Sequence, residues 1–144
     1  MEEIVLAFIA SVCPGIMYNV TRRNLLWVGI SGMLGWITYA WILEVTGNVV
    51  FSSFLGAIIV GLYSESVARI LKAPAMVFSI PGIFPLVPGI AIYNSTQYIS
   101  ENKLLEAANT GIQAIACSAA IAFGILLVSA VFRLLKRSTK KETA

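Results

Sequence analysis

The chain has 144 residues, 58% of them hydrophobic and only 12% charged, with a formal net charge of +3, no histidine and two cysteines. A soluble domain carries about a quarter charged residues, so this balance, with a mean hydropathy of +0.87, excludes a soluble globular protein and predicts a membrane protein. Histidine and aspartate are both absent, which removes Ser-His-Asp triads and histidine-based metal centres; with no glycine-rich loop ending in Gly-Lys-Ser or Gly-Lys-Thr, the chain is expected to be no enzyme and to use no cofactor, no metal and no ATP.

The apolar residues form long uncharged runs instead of the alternation of a barrel strand, which predicts an all-α polytopic membrane protein of about five transmembrane helices. The first run covers residues 4–20. It follows Met1-Glu2-Glu3, which lacks the basic start of a signal peptide, and "ASVCPG" has bulky Val12 before Cys13, unlike a lipoprotein cleavage site. The second run, 25–43, contains "VGISGMLGW", with Gly29, Gly32 and Gly35 to one side. The third, 49–67, carries Ser53, Ala57 and Gly61 at helical spacing, and the fifth, 107–135, carries Thr110, Ala114, Ser118 and Ala122 with Ala116, Ala120 and Gly124 beside them. Such small-residue rows let helices approach closely in lipid, whether the neighbour is this chain or another. Cys13 and Cys117 both lie in apolar runs and are expected to be packing residues.

Charge sets an expected orientation. Arg22 and Arg23 follow the first run, Arg69 and Lys72 the third, and Arg133, Lys136, Arg137, Lys140 and Lys141 the fifth, leaving Lys103 as the one basic residue on the other side with Glu2, Glu3, Glu44, Glu101 and Glu106. The positive-inside bias then predicts an external N-terminus and a cytoplasmic C-terminus. The domain expectation is a membrane unit over 1–137 and a basic cytoplasmic tail over 138–144, the tail lying beside anionic lipid; no nucleic acid is needed to explain the charge.

The fourth run, 73–93, departs from the others. "SIPGIFPLVPGIAIY" holds Pro81, Gly82, Pro85, Pro88 and Gly89 in a segment with almost nothing polar. An interior proline costs a helix roughly 3 kcal/mol, and irregular backbone at membrane depth is tolerated only against protein or a water-filled cavity. A Pro/Gly-broken fourth helix lining a substrate path is therefore expected, with a merely kinked structural helix as the plain alternative. Tyr93, Asn94 and Ser95 then open a cluster of uncharged hydrogen-bonding groups that suits either an interfacial cap or a polar substrate's exit. At the other end Glu65 and Arg69 are four apart, which allows an i,i+4 ion pair; Glu65 is also the acid nearest the hydrocarbon, and such acids are candidates for proton coupling or substrate pairing. Arg69 and Lys72 are the accompanying cationic candidates.

The stretch "SESVARILKAPAMVFSIPGIFPLVPGIAIY", residues 64–93, with "NVTRRN" after the first run, resembles the threonine/serine exporter family (ThrE-type), specifically its small, C-terminal-half-type subunit. The resemblance implies a secondary-active exporter subunit in the inner (cytoplasmic) membrane of a bacterial cell, driven by the proton-motive force. It further implies a larger partner subunit and a small polar metabolite as substrate: threonine and serine, or a dicarboxylate such as succinate for split pairs. The small-residue rows add the expectation of a homo-oligomer. A structural or assembly protein with no path of its own remains the alternative.

Overall fold

The computed structural model describes residues 2–142, and the side-chain surroundings of residues 2–134; the basic tail expected over 138–144 lies outside the latter. The elements are α1 (Glu2–Met17), α2 (Arg22–Thr46), α3 (Val49–Leu71), α4 (Met76–Gly82), one 3-10 turn (Phe84–Leu86), α5 (Gly89–Ser100) and α6 (Leu104–Glu142). The first expected run is shortened. Asn19 adopts a left-handed conformation (φ 55°) and the Val20 N–H donates to the Gly15 carbonyl at 3.0 Å, which closes the helix at Met17. Its 16 residues rise about 24 Å, short of the roughly 30 Å of hydrocarbon. Among the described residues three helices are long and apolar enough to span, namely α2, α3 and residues Leu104–Leu134 of α6, or four if the bent pair of Met76–Leu86 and α5 is one span. The expected count of five thus becomes three or four, with α1 laid against α2 as a shorter helix.

The turn between α2 and α3 follows from two residues. Gly47 takes the left-handed conformation (φ 64°) that glycine tolerates best, and Asn48 Oδ1 accepts from the N–H groups of Val50 and Phe51 at 3.1 and 3.2 Å. This N-cap satisfies two of the free donors of α3. Lys72 ends the same helix in the left-handed region (φ 51°).

The centre of the bundle is α3, which packs most extensively on α6 and α2. The small-residue rows meet within the chain: a Cβ on Gly61 would lie 3.2 Å from Val128, and one on Gly124 would lie 3.0 Å from the Phe54 carbonyl. The glycines of α2 serve two neighbours, Gly29 and Gly32 admitting Phe8 and Ser11 of α1, and Gly35 admitting Val60 of α3. Two apolar clusters fill the interior, one around Val28, Val67 and Phe78 and the other around Ala57, Val60, Leu86 and Ile121.

The C-terminal part of α3 meets α6 at the basic end. Arg69 Nη2 donates to the Phe132 carbonyl at 3.4 Å, and its guanidinium lies 4.6 Å from the centre of the Phe132 ring, a cation–π arrangement. The i,i+4 ion pair with Glu65 allowed by the spacing is not made: the one salt bridge among the described residues joins Lys103 to Glu101 at 2.8 Å. Arg69 turns to the aromatic ring of α6 instead. In the exposed turn between α5 and α6, Lys103 and then Gln97 hold the Glu101 carboxyl below its ordinary range.

Candidate functional site

The proline-rich stretch folds as two helices and a turn. The segment Met76–Leu86, α4 with the 3-10 turn, is bent by 50° against α5, and the polar "NSTQY" residues lie within α5. Pro81 lies inside α4 without an N–H to donate; beyond it the Ile83 N–H still reaches Ser79, while Leu86 turns back to Ile83 and Val87 to Phe84. Pro88 (φ −76°, ψ 56°) centres a tighter turn in which the Gly89 N–H donates to the Val87 carbonyl at 2.7 Å, the geometry of an inverse γ-turn. The result is a run of freed acceptors: no backbone N–H among the described residues reaches the carbonyls of Ile80, Gly82, Pro85 or Leu86. An unsatisfied buried backbone group costs roughly 1–3 kcal/mol, so such a break is stable only where other polar matter or water approaches.

Cavities lie on both sides of the break, one bordered by Ile80 and the other by Pro85 and Leu86. At the basic end a mouth of about 530 Å³ is lined by Glu65, Arg69, Lys72, Phe132 and Arg133. A groove of about 610 Å³ continues from it between α4 and α6, sharing Glu65, Ala75 and Arg133 with the mouth and adding Ser79, Ser118 and Ser129. A chamber of about 400 Å³ lies beyond the break, toward the other end of the bundle; it includes Trp36, Tyr39, Asn94, Thr110, Gln113 and Cys117 and shares Val87 and Pro88 with the groove. The three cavities therefore form a series, and the inverse γ-turn is the partition between the last two.

The sequence candidates distribute unevenly over this series. Glu65, Arg69 and Lys72 come together at the mouth, and Glu65 also faces the groove. Pro85, Gly89 and Asn94 line the chamber, and Pro88 lines both chamber and groove. A Cβ on Gly89 would meet nothing within 4 Å. Pro81 and Gly82 are buried elsewhere: Pro81 borders a separate small cavity with Tyr18 and Val77, and a Cβ on Gly82 would strike Ser31 of α2. Ser95 Oγ donates to the Ala107 carbonyl at 2.9 Å, tying α5 to α6, and Tyr93 is 68% exposed on the outside of α5.

Sequence reasoning passed over the α6 side of the route. Thr110, Gln113 and Cys117 face the chamber, and Ser118, Ala122, Ile125, Ser129 and Arg133 face the groove, each set spaced by three or four residues as one helical stripe requires. That spacing was readable, but Ser118 and Ala122 also fit a packing row, and only the placement of α4 shows that the row borders open space.

No solved structure matches this chain. A family model described as "Threonine/Serine exporter, ThrE" matches residues 3–131, a stretch that contains α1 but for Glu2, α2 to α5, the break and every lining residue named above except Phe132 and Arg133. The chain therefore belongs to the threonine/serine exporter family, a family of membrane transporters.

Proposed function

We propose that the chain forms the substrate route of a secondary-active exporter, a small polar metabolite passing from the basic mouth, along the groove beside Glu65 and Arg133, and past the Val87–Pro88 turn into the chamber. The observation that carries this reading is the series of cavities joined at those residues. Broken helices with freed carbonyls line substrate sites in many transporters. The groove offers one carboxylate and one guanidinium, which suits the ammonium and carboxylate of a zwitterion such as threonine or serine. A dicarboxylate such as succinate is the second reading, favoured by the three cations of the mouth and opposed by Glu65.

Glu65 is the one acid lining these three cavities and is the proposed point of coupling to the proton-motive force. The membrane is proposed to be the bacterial inner membrane, with the basic end cytoplasmic. Among the described residues α4 has no extensive packing on α6, leaving the groove between them; a larger subunit of the same family, together with further copies of this chain, is the proposed closure. The test is efflux of preloaded threonine and succinate from cells producing the chain with that subunit. Glu65→Gln should weaken threonine efflux and its dependence on the pH gradient, and Arg133→Gln should weaken threonine efflux. If neither variant changes efflux at equal membrane levels, the chain is an assembly protein without a route of its own.

A further inference from the structure

The mouth and the groove that continues from it carry their groups in a set order. Three cations, Arg69, Lys72 and Arg133, and one acid, Glu65, line the mouth, and all three cations are exposed at the basic end. Ser129 follows Arg133 one turn inward on α6, and Ser79 lines the same groove from α4. Deeper still the lining is apolar, with Ile80 and Ile83 on one side and Leu126, Ile125 and Ala122 on the other. From Arg133 to Ala122 α6 rises about 17 Å, close to the roughly 15 Å of one hydrocarbon leaflet. The groove also faces outward: Met76 and Leu126 on its two walls are 68% and 66% exposed.

We infer that the mouth and groove bind one anionic phospholipid whenever the chain stands without its larger subunit, the phosphate lying among Arg69, Lys72 and Arg133 and one acyl chain along the groove. The order of the groups matches that molecule: cations for the phosphate, hydroxyls for the glycerol ester carbonyls, then an apolar lane for the tail. Charge decides which lipid is held. The tail gains little by leaving a bilayer as apolar as the groove, whereas basic pockets between membrane helices hold anionic headgroups. Three cations against the single carboxylate of Glu65 leave the mouth net positive, and a zwitterionic headgroup brings an ammonium of its own to the same cations. The consequence, which rests on the proposed route, is regulatory. Lipid and substrate claim the same space, so the lone chain is shut, and the larger subunit opens the route by covering the groove in the lipid's place.

The experiment counts lipid by native mass spectrometry on the full chain, purified in mild detergent without the larger subunit and offered phosphatidylglycerol or phosphatidylcholine. One phosphatidylglycerol per chain should be retained, in preference to phosphatidylcholine by about tenfold or more. Lys72→Gln and Arg133→Gln should each lower that preference roughly fivefold, the worth of one cation beside anionic lipid, and Glu65→Gln should raise it. Ala122→Trp, at an exposed position of α6, fills the lane of the tail at unchanged charge and should release the lipid. Co-purification with the larger subunit should bring the count to none. Equal retention of the two lipids, or a preference that survives Lys72→Gln and Arg133→Gln together, would overturn the inference. Full retention in Ala122→Trp, the mark of a diffuse attraction to charge, would overturn it too, as would a second copy of the chain found in the groove. The route is judged separately: unchanged efflux in Glu65→Gln and Arg133→Gln would strike the route, and the lipid count would stand.

Discussion

Gly82 and Gly89, seven residues apart at the ends of the same break, give opposite expectations when enlarged. Gly89 borders the chamber, has no left-handed φ, and would place a Cβ in open space with nothing within 4 Å. Gly89→Leu therefore introduces no backbone strain, and near the start of α5 it exchanges the poorest non-proline helix former for a good one, a gain of up to about 1 kcal/mol. Gly82 is buried, and a Cβ there would lie 2.5 Å from Ser31 Oγ, 3.1 Å from Ser31 Cβ and 3.2 Å from Val60. Overpacking of that kind costs roughly 1–3 kcal/mol. The assay is membrane abundance and unfolding midpoint in mild detergent, measured beside threonine efflux from preloaded cells. Gly89→Leu should reach wild-type abundance yet lose efflux by about tenfold or more, since even one methylene that intrudes on a substrate's space is worth about tenfold or more in discrimination. Gly82→Leu should lose abundance and midpoint first, with efflux falling in proportion to the protein present. Normal efflux per molecule in Gly89→Leu would refute the assignment of the chamber to the route.

Replacing Pro81, Pro85 and Pro88 together by alanine should favour a continuous helix by several kcal/mol in propensity and leave the chain in the membrane; efflux should fall sharply as the freed carbonyls of Ile80, Gly82, Pro85 and Leu86 are drawn into helical hydrogen bonds. Ser95→Ala removes the 2.9 Å bond to the Ala107 carbonyl and should lower stability by about 1 kcal/mol, read as a shift in the unfolding midpoint. A cysteine placed at Glu101 or Asn102 should react with an impermeant external reagent, and a reporter fused after Ala144 should read cytoplasmic; the reverse pattern would invert the proposed orientation.

The sequence made the break legible because proline and glycine act through the backbone itself: three missing or strained hydrogen-bond positions within eight residues forbid a straight helix whatever surrounds it. It also placed Glu65, Arg69 and Lys72 together, since their spacing along α3 and its end fixes their neighbourhood. Side-chain direction was harder. Gly82 and Gly89 look alike in the string, yet one is pressed against α2 and the other faces empty space, a difference decided by where α4 crosses α2. The Glu65–Arg69 spacing was compatible with an ion pair, but a ring contributed by Phe132, 63 residues further on, took the guanidinium. The length of α1 depended on Asn19 adopting a left-handed turn, which asparagine tolerates but does not require. Gln113, and the place of Arg133 on the groove, were hidden because they come from the space across from α6, which no local pattern encodes.

The central claim, that substrate passes the break through the chamber, is tested most directly at Cys117. This thiol is buried and lines the chamber, while the other cysteine, Cys13, is exposed on α1, so Cys13→Ser leaves a single reporter. The measurement is the rate at which a small membrane-permeant thiol reagent modifies Cys117, with and without saturating threonine. Occupancy of the chamber predicts that threonine slows modification several-fold and that Gln113→Leu weakens this protection; a rate unaffected by threonine in the transport-competent protein would contradict the route.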